Sequence, residues 1–222
     1  MAVRPVFGVS LDNQYCRKDN VEFEFFSGFS DKQKKRCVQS LQKEYLKNNA
    51  EKKILEISSK SEKELGIKLS AFNLMMKTKS GKEVSVECAF QAGKVFERGG
   101  PYEDLLEVSS RSAKKDERLR NSGKIIAFRF EGMEFETEPE TLFYNWLYIN
   151  GLHQNSELAQ QIVEYDAFTD IEFNPQKSIN CQAEAAAIYV SLKKQGKLEE
   201  ALKNKESFKN IVYSKNTVIE KT

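Results

Sequence analysis

The segment VSVECAFQAGKVF (residues 84–96) has the most informative pattern in the chain. The segments before and after it are described below in relation to it. Glu87, Gln91 and Lys94 stand at i, i+4 and i+7, so a helix would line them up as a polar stripe. Such a stripe on its own usually faces solvent. The small residues of this segment instead favour close approach by other elements, so we expect the stripe to face inward. The apolar face beside it is predicted to comprise Val86, Ala89, Phe90, Gly93 and Phe96.

Strands and a basic helix are predicted before this segment. Ser30 and Gln33 have the spacing of a capping box, which predicts a helix over residues 31–46. The apolar run over residues 54–57 predicts a short strand, and residues 69–85 predict a strand, a loop and a second strand. The buried side of the basic helix is predicted to hold Cys37, Leu41 and Tyr45.

Most of the elements predicted after residue 96 are helices. Residues 102–121 predict one charged helix, and residues 125–137 predict a hairpin that turns at residues 131–132. Residues 141–152 are apolar on all sides, which is typical of a core helix, and a polar loop over residues 170–180 leads into an alanine-rich helix. The predicted fold class is therefore α+β and predominantly helical, a single domain with a small sheet or hairpin.

Charge is balanced over the whole chain but segregated along it. Its 222 residues include 35 Lys and Arg against 33 Asp and Glu, and this net charge of +2 argues against wrapping nucleic acid by overall charge. Residues 31–53 hold eight Lys or Arg against three acids, whereas residues 131–172 hold ten acids and no Lys or Arg. The basic helix is either a solvated surface or a nucleic-acid contact made by Lys34, Lys35 and Arg36.

The composition argues against several kinds of site. The four cysteines form no CxxC pair, which argues against a zinc or dithiol motif. His153 is the only histidine, so a multi-histidine metal site is excluded, and we expect no metal and no cofactor. No apolar run is long enough for a membrane helix, and the N-terminus lacks the apolar core of a signal peptide. We therefore expect no membrane contact and a cytoplasmic location.

Two polar loops could hold a ligand. The turn over residues 58–60 follows the first apolar strand and could present backbone N–H groups to an anion. The alternative is a helix cap, because Ser61 and Glu64 also have capping-box spacing. The loop over residues 170–180 ends at Asn180, which is either a ligand contact or a cap for the alanine-rich helix.

Several blocks resemble the NADAR family, whose hallmark is a Glu-His-x-x-Gln-x-x-Lys-Phe run. Here the run has Glu87, Gln91 and Lys94 at the family spacing, but Cys88 replaces the histidine and Val95 follows the lysine. The wider pattern resembles the NADAR antitoxins that are paired with DarT-type DNA ADP-ribosyltransferase toxins, and it covers nearly the whole chain. The blocks are LEISSKS, KLSAFNL, VFERGGPYEDLL, AKKDERLRNSG, EPETLFYNWLYI and YDAFTDIEFNPQKSINCQA.

The resemblance implies an antitoxin glycohydrolase. Such an enzyme would remove ADP-ribose from guanine bases of single-stranded DNA by hydrolysing the N-glycosidic bond, and so reverse a DarT-type toxin. Two alternatives stay open: an N-glycosidase for ADP-ribosylated RNA or a small nucleotide metabolite, and a non-catalytic protein that binds the toxin.

The hypothesis gives each candidate residue a role. Glu87 is the main acid/base, and Lys94 or Lys60 is its electrostatic partner or a nucleophile. Asp170 is a second carboxylate that orients a ribose hydroxyl or water, with Glu172 as its substitute. The residues expected to bind ADP-ribose are Ser58, Ser59, Phe72, Asn73, Gln91, Glu172 and Asn180.

The same hypothesis divides the chain into three parts. Residues 1–50 would be an N-terminal extension packed on the core, and residues 51–205 a NADAR-like ADP-ribosylglycohydrolase domain. Residues 206–222, which are rich in lysine and weakly periodic, would be a tail.

Overall fold

The computed structural model describes residues 1–12, 14–28 and 30–214. In this part of the chain the strands are β1 (Ala2–Gly8), β2 (Arg17–Phe23), β3 (Ile54–Glu56), β4 (Met75–Lys77), β5 (Glu83–Ser85), β6 (Lys94–Phe96), β7 (Ile125–Phe130), β8 (Met133–Phe135) and β9 (Ala167–Thr169). The helices are α1 (Asp31–Leu46), α2 (Glu64–Lys68), α3 (Val86–Ala92), α4 (Ser110–Lys115), α5 (Arg118–Asn121), α6 (Leu142–Gln154), α7 (Ser156–Ile162), α8 (Gln182–Lys194), α9 (Leu198–Ala201) and α10 (Lys205–Tyr213). The fold is mixed α+β with more helix than strand, and its strands form three small sheets instead of one.

A four-stranded sheet of order β2-β1-β9-β3 joins distant parts of the sequence. β1 is antiparallel to β2 and β9, while β3 is parallel to β9. The parallel pairing sets Glu56 opposite Thr169, at the carboxyl ends of β3 and β9. Loops that leave the carboxyl ends of neighbouring parallel strands meet at one edge of the sheet, which is a common place for a ligand site. Residues 1–50 supply two of the four strands of this sheet.

Helix α1 has the predicted bounds. The Oγ of Ser30 accepts a hydrogen bond from the backbone N of Gln33, as the capping-box spacing predicts. Cys37, Leu41 and Tyr45 are buried, as predicted, and they pack against the face of β1 and β2. The helix starts from local chemistry and is then fixed to the sheet by its apolar side.

Helix α3 ends earlier than the sequence pattern predicts. It stops at Ala92, and Lys94 belongs to strand β6, which pairs with β7. The backbone N of Arg129 donates to Gly93 O at 2.7 Å, so the sheet draws the chain out of the helix at this point. A Cβ at Gly93 would lie 2.6 Å from a ring carbon of Phe143, which accounts for a glycine at this close approach.

The predicted single helix over residues 102–121 is wrong. The structure divides it into a 3₁₀ helix (Glu103–Glu107) and the short helices α4 and α5. The Oγ of Ser109 accepts from Ser112 N and starts α4, and Asp116 accepts from both the backbone and the side chain of Arg118. These local side-chain hydrogen bonds compete with a continuous helix and break it.

The predicted hairpin and core helix are confirmed. β7 and β8 are joined by Glu131 and Gly132, which have φ angles of 51° and 77°, as a tight hairpin turn requires. Helix α6 is buried along most of its length and packs against α3 and α8. The next helix, α7, has Asn155 at its N-cap.

The C-terminal region is packed as far as the structure describes it. Helix α10 covers residues 205–213, which the sequence analysis assigns mostly to a tail. Phe208 is fully buried and its ring lies 5.5 Å from that of Trp146, while the hydroxyl of Tyr213 accepts from Asn145 Nδ2. Residues 215–222 of the expected tail lie outside the described residues. No helix in the described part is long and apolar enough to cross a membrane.

Candidate active site

The polar stripe predicted from the sequence lies inside the protein. The Nε2 of Gln91 donates to Glu87 Oε1 at 2.9 Å, and Lys94 Nζ donates to Gln91 Oε1 at 2.8 Å. Glu87 is only 4% exposed. Lys94 reaches Gln91 from the start of β6, so the row survives although the helix ends two residues earlier. Gln91 thus fixes a carboxylate at one end of the row and an amine at the other.

Burial makes Lys94 a weaker base than an exposed lysine. Its pKa is lowered from 10.5 to about 8, mainly by burial and further by the charge of Lys114, whereas the charge of Glu87 opposes the shift. The ammonium group also lies 4.5 Å from the ring centroid of Phe90. A lysine with this pKa has a substantial neutral fraction near neutral pH, which an attacking amine needs.

Lys114 covers the open side of this row. Its Nζ lies 3.7 Å from Glu87 Oε1 and 4.9 Å from the ring centroid of Phe72, which is half-buried. Lys114 is not among the residues predicted for the site, because in the single helix predicted there it is one of many surface charges. Phe72 and Glu87 therefore share Lys114 as a neighbour, and a contact of Phe72 with substrate stays a prediction.

A second buried carboxylate, Glu56, stands at the end of β3. Ser58 Oγ and Thr169 Oγ1 each donate to it at 2.6 Å, and Ile171 N donates at 2.9 Å. Burial raises the pKa of Glu56, but these three donors favour its ionised form. Glu56 is not among the residues predicted for the site. The available signal was a charged residue inside a short apolar strand, since a buried charge needs partners elsewhere.

Asp170 lies beside Glu56 and shares its buried environment. Its Oδ1 accepts from the backbone N of Glu172 and of Phe173, at 3.0 and 3.2 Å. Burial, followed by the negative charge of Glu56, raises the pKa of Asp170 to about 8. Two carboxylates this close do not both ionise readily. Burial and the charge of Glu56 thus favour the protonated form of Asp170.

Ala71 and Tyr144 link the surroundings of Asp170 to those of Glu87. The side chain of Gln182 hydrogen-bonds Asp170, and its Oε1 accepts from Ala71 N at 2.7 Å. The Ala71 carbonyl in turn accepts from Glu87 N at 2.9 Å. Burial raises the pKa of Tyr144, and the charges of both Glu87 and Asp170 raise it further. The backbone of Ala71 thus links Glu87 to Gln182, and the charges of Glu87 and Asp170 both act on Tyr144.

Several predicted residues have other partners. Lys60 Nζ is bound to Asp31 at 2.7 Å, which places it at the start of α1 and not with Glu87. Ser58 is buried against Glu56, whereas Ser59 is exposed. Of the two predicted lysines, Lys94 is therefore the one that the structure joins to Glu87, through Gln91.

The remaining predicted residues lie in exposed or half-buried loops and on α1. Asn73 donates to the carbonyl of Ile67, and Asn180 is half-buried with its Oδ1 unpaired. Glu172 lies 3.7 Å from Lys34, so the substitute carboxylate faces α1 and not the Glu87 row. On α1 itself, Lys35 and Arg36 are exposed.

Within the described residues, neither a cluster of metal-binding side chains nor a surface groove provides a second candidate active site. Among the residues that the structure describes, no three His, Cys, Asp or Glu side chains are grouped to hold a metal ion. A groove of about 600 Å³ lies along β1 and β2, lined in part by Arg4, Lys18 and Asn174. None of the predicted site residues lines this groove, so it is separate from the Glu87 row.

We expect Asp170→Asn to stabilise the protein, with a gain that grows as the pH rises from about 4 to about 8. In the folded state the pKa of Asp170 is about 8, against 3.8 for an exposed carboxyl, so the folded state binds more protons over this window. Wild-type stability therefore falls as the pH rises, and asparagine removes that loss. Melting curves at pH 5 and pH 8 should show the difference in Tm growing by more than about 5 °C.

Asp166→Asn is the matched control, because the opposite sign is expected there. Burial opposes the shift, but hydrogen bonding from Lys53 N and the charge of Lys194 lower the pKa of Asp166. Its carboxylate stabilises the fold above pH 4, so the asparagine variant should melt lower than wild type at neutral pH. Loss of stability in Asp170→Asn at pH 8 would contradict the assigned proton.

A family model described as DarT1-associated NADAR antitoxin matches residues 2–221, nearly the entire chain. The run that contains Glu87, Gln91 and Lys94 lies within the match. A search among curated proteins found no match. The chain therefore belongs to the family of DarT1-associated NADAR antitoxins.

Proposed function

We propose that this protein hydrolyses the N-glycosidic bond between ADP-ribose and a guanine base of single-stranded DNA, and so reverses a DarT-type toxin. The observation that carries the proposal is the buried, hydrogen-bonded row of Glu87, Gln91 and Lys94. Membership of an antitoxin family associated with DarT1 supports the toxin partner. The products are free ADP-ribose and unmodified DNA, and we place the reaction in the cytoplasm.

Glu87 stabilises the charge that develops as the bond breaks. Cleavage at the anomeric carbon gives that carbon oxocarbenium character, which a nearby carboxylate stabilises electrostatically. The hydrogen bond from Gln91 fixes the orientation of Glu87. The same carboxylate can accept a proton from the attacking water, and Lys114 balances its charge from 3.7 Å away.

Asp170 supplies the proton or orients the sugar. Because it is protonated at neutral pH, it can donate to the departing guanine nitrogen or hydrogen-bond a ribose hydroxyl. Glu56 acts through Asp170 as a positioning residue, since its charge keeps the proton there. Phe72, Asn73, Ser59 and Asn180 are the proposed contacts of the base, the riboses and the diphosphate.

Two routes fit the same residues. In the first, water activated by Glu87 attacks the anomeric carbon directly. In the second, the neutral amine of Lys94 attacks that carbon, the bond to guanine breaks, and guanine leaves with a proton. The ring then opens to an imine, which water hydrolyses to release ADP-ribose and restore the amine.

Borohydride added during turnover distinguishes the two routes. If Lys94 attacks, reduction of the imine should leave one ADP-ribose covalently bound per protein chain, detected by intact mass. The adduct should be absent in Lys94→Ala and present in Lys60→Ala, because Lys60 is bound to Asp31 away from Glu87. An active wild type that yields no adduct would rule out the lysine route and leave direct attack by water.

A substrate panel tests the proposed substrate. Guanine-ADP-ribosylated single-stranded DNA, the same sequence in RNA and a modified mononucleotide are each incubated with the protein, and free ADP-ribose is measured. We expect the highest kcat/KM on DNA. Higher kcat/KM on RNA or on the mononucleotide would favour the alternative glycosidase substrates. No release from any of them, together with inhibition of the toxin by direct binding, would support the non-catalytic alternative.

A further inference from the structure

Helix α4 presents a basic face next to the candidate active site. Arg111, Lys114 and Lys115 stand at i, i+3 and i+4, so they share one exposed side of the helix. The opposite side is fixed in the fold by Ala113, which is fully buried in a small cluster with Cys88 of α3. The basic side of α4 is therefore held facing outward.

Hydrogen bonds hold this face at a fixed position relative to Glu87. Ser110 Oγ donates to the carbonyl of Phe72 at 2.8 Å and lies 2.8 Å from Ser85 Oγ, which caps α3. Lys114 then reaches to within 3.7 Å of Glu87 Oε1. Helix α4 thus extends from the neighbourhood of Glu87 to the exposed surface of the protein.

Two of the three charges on this face, those of Arg111 and Lys115, are not neutralised; the third, Lys114, is paired with Glu87. Within the described residues, no carboxylate lies within 4 Å of the charged groups of Arg111 or Lys115. Arg118 on the next helix, by contrast, is bound by Asp104 and Asp116. On α1, Lys34 lies 3.7 Å from Glu172. Because α4 is held against Phe72 and Ser85 next to Glu87, its unpaired charges are better placed than those of α1 to bind an anion close to the site.

We propose that Arg111, Lys114 and Lys115 bind the phosphates of the DNA strand next to the modified guanine. This inference rests on the proposed function, because it assigns the path of that substrate. Cationic side chains beside an aromatic ring are the usual elements of a single-strand binding surface. The ring of Phe72 lies 4.9 Å from Lys114 Nζ, and a base of the strand would stack on it. Phosphate contacts of this kind position the strand without reading its sequence.

Binding of unmodified DNA tests this surface separately from hydrolysis. The probe is a fluorescein-labelled 12-mer of thymidine, and its Kd is measured by anisotropy over a range of NaCl concentrations. We expect Arg111→Ala/Lys115→Ala to raise the Kd roughly 10-fold at 0.1 M salt and to reduce the log–log salt slope by about 1.4, or 0.7 per lost phosphate contact. Lys193→Ala/Lys203→Ala, which removes two exposed charges elsewhere, should change neither value.

Two further variants make the test decisive. The single variants Arg111→Gln and Lys115→Gln should each give about half of the slope change. They keep the interpretation independent of any folding defect in the double variant. An unchanged salt slope in both, or a larger loss in Lys34→Ala/Lys35→Ala than in the α4 variant, would overturn the inference. Failure of wild type to release ADP-ribose would instead count against the proposed function and leave the DNA-binding result to be judged alone.

Discussion

Glu87→Gln should lower the rate of ADP-ribose release about 10²- to 10⁴-fold. The amide has the shape of the carboxylate and can still accept the hydrogen bond from Gln91. It cannot carry a negative charge or accept a proton, so it loses both proposed functions of Glu87. Single-turnover release from guanine-ADP-ribosylated oligonucleotide measures the effect on the chemical step.

Glu83→Gln is the matched control for this variant. Glu83 lies on the preceding strand β5 and is exposed, with Lys77 3.8 Å away. The same substitution there should leave the rate and the melting temperature near wild type. Turnover near the wild-type rate in Glu87→Gln, with both variants folded, would refute the role assigned to Glu87.

Phe143→Ala should reduce the free energy of unfolding by about 3–5 kcal/mol. Phe143 is 1% exposed, and its ring lies 4.8 Å from that of Phe128 and 5.0 Å from that of Phe135. It also touches the position of Gly93, where α3 passes into β6. The cavity would thus open directly behind the Glu87 row. Urea denaturation followed by tryptophan fluorescence measures the loss.

Phe25→Ala provides the comparison on the surface. Phe25 is 41% exposed, so its truncation should cost under about 1 kcal/mol. Equal losses in the two variants would contradict the view that the aromatic cluster around Phe143 is the part of the core that supports the site.

The sequence predicts those elements whose determinants are local. The bounds of α1 follow from the Ser30 cap and from the spacing of its buried residues. The turn of the β7–β8 hairpin follows from two neighbouring residues with positive φ. The end of α3 was predicted wrongly, because the pairing of β6 with β7 that ends it involves residues more than thirty positions away. Non-local pairing leaves no periodic signal in a short segment.

The candidate site divides in the same way. The spacing of Glu87, Gln91 and Lys94 predicts that they share one line, and the structure places them in one hydrogen-bonded row. Glu56 could not be assigned from the sequence, because two of its donors belong to Thr169 and Ile171, over a hundred residues away. The pairing of β3 with β9 creates that contact and, with it, the negative charge that helps to raise the pKa of Asp170.

The most direct test of the account is the intact mass of the DNA after reaction. A single-stranded oligonucleotide that carries ADP-ribose on one guanine is incubated with the wild-type protein and then weighed by mass spectrometry. If the glycosidic bond is cleaved, the oligonucleotide should lose the entire ADP-ribose group and return to its unmodified mass. The toxin should then be able to modify it again. A product that keeps ribose or ribose phosphate on the base, or an unchanged mass, would contradict cleavage of the glycosidic bond.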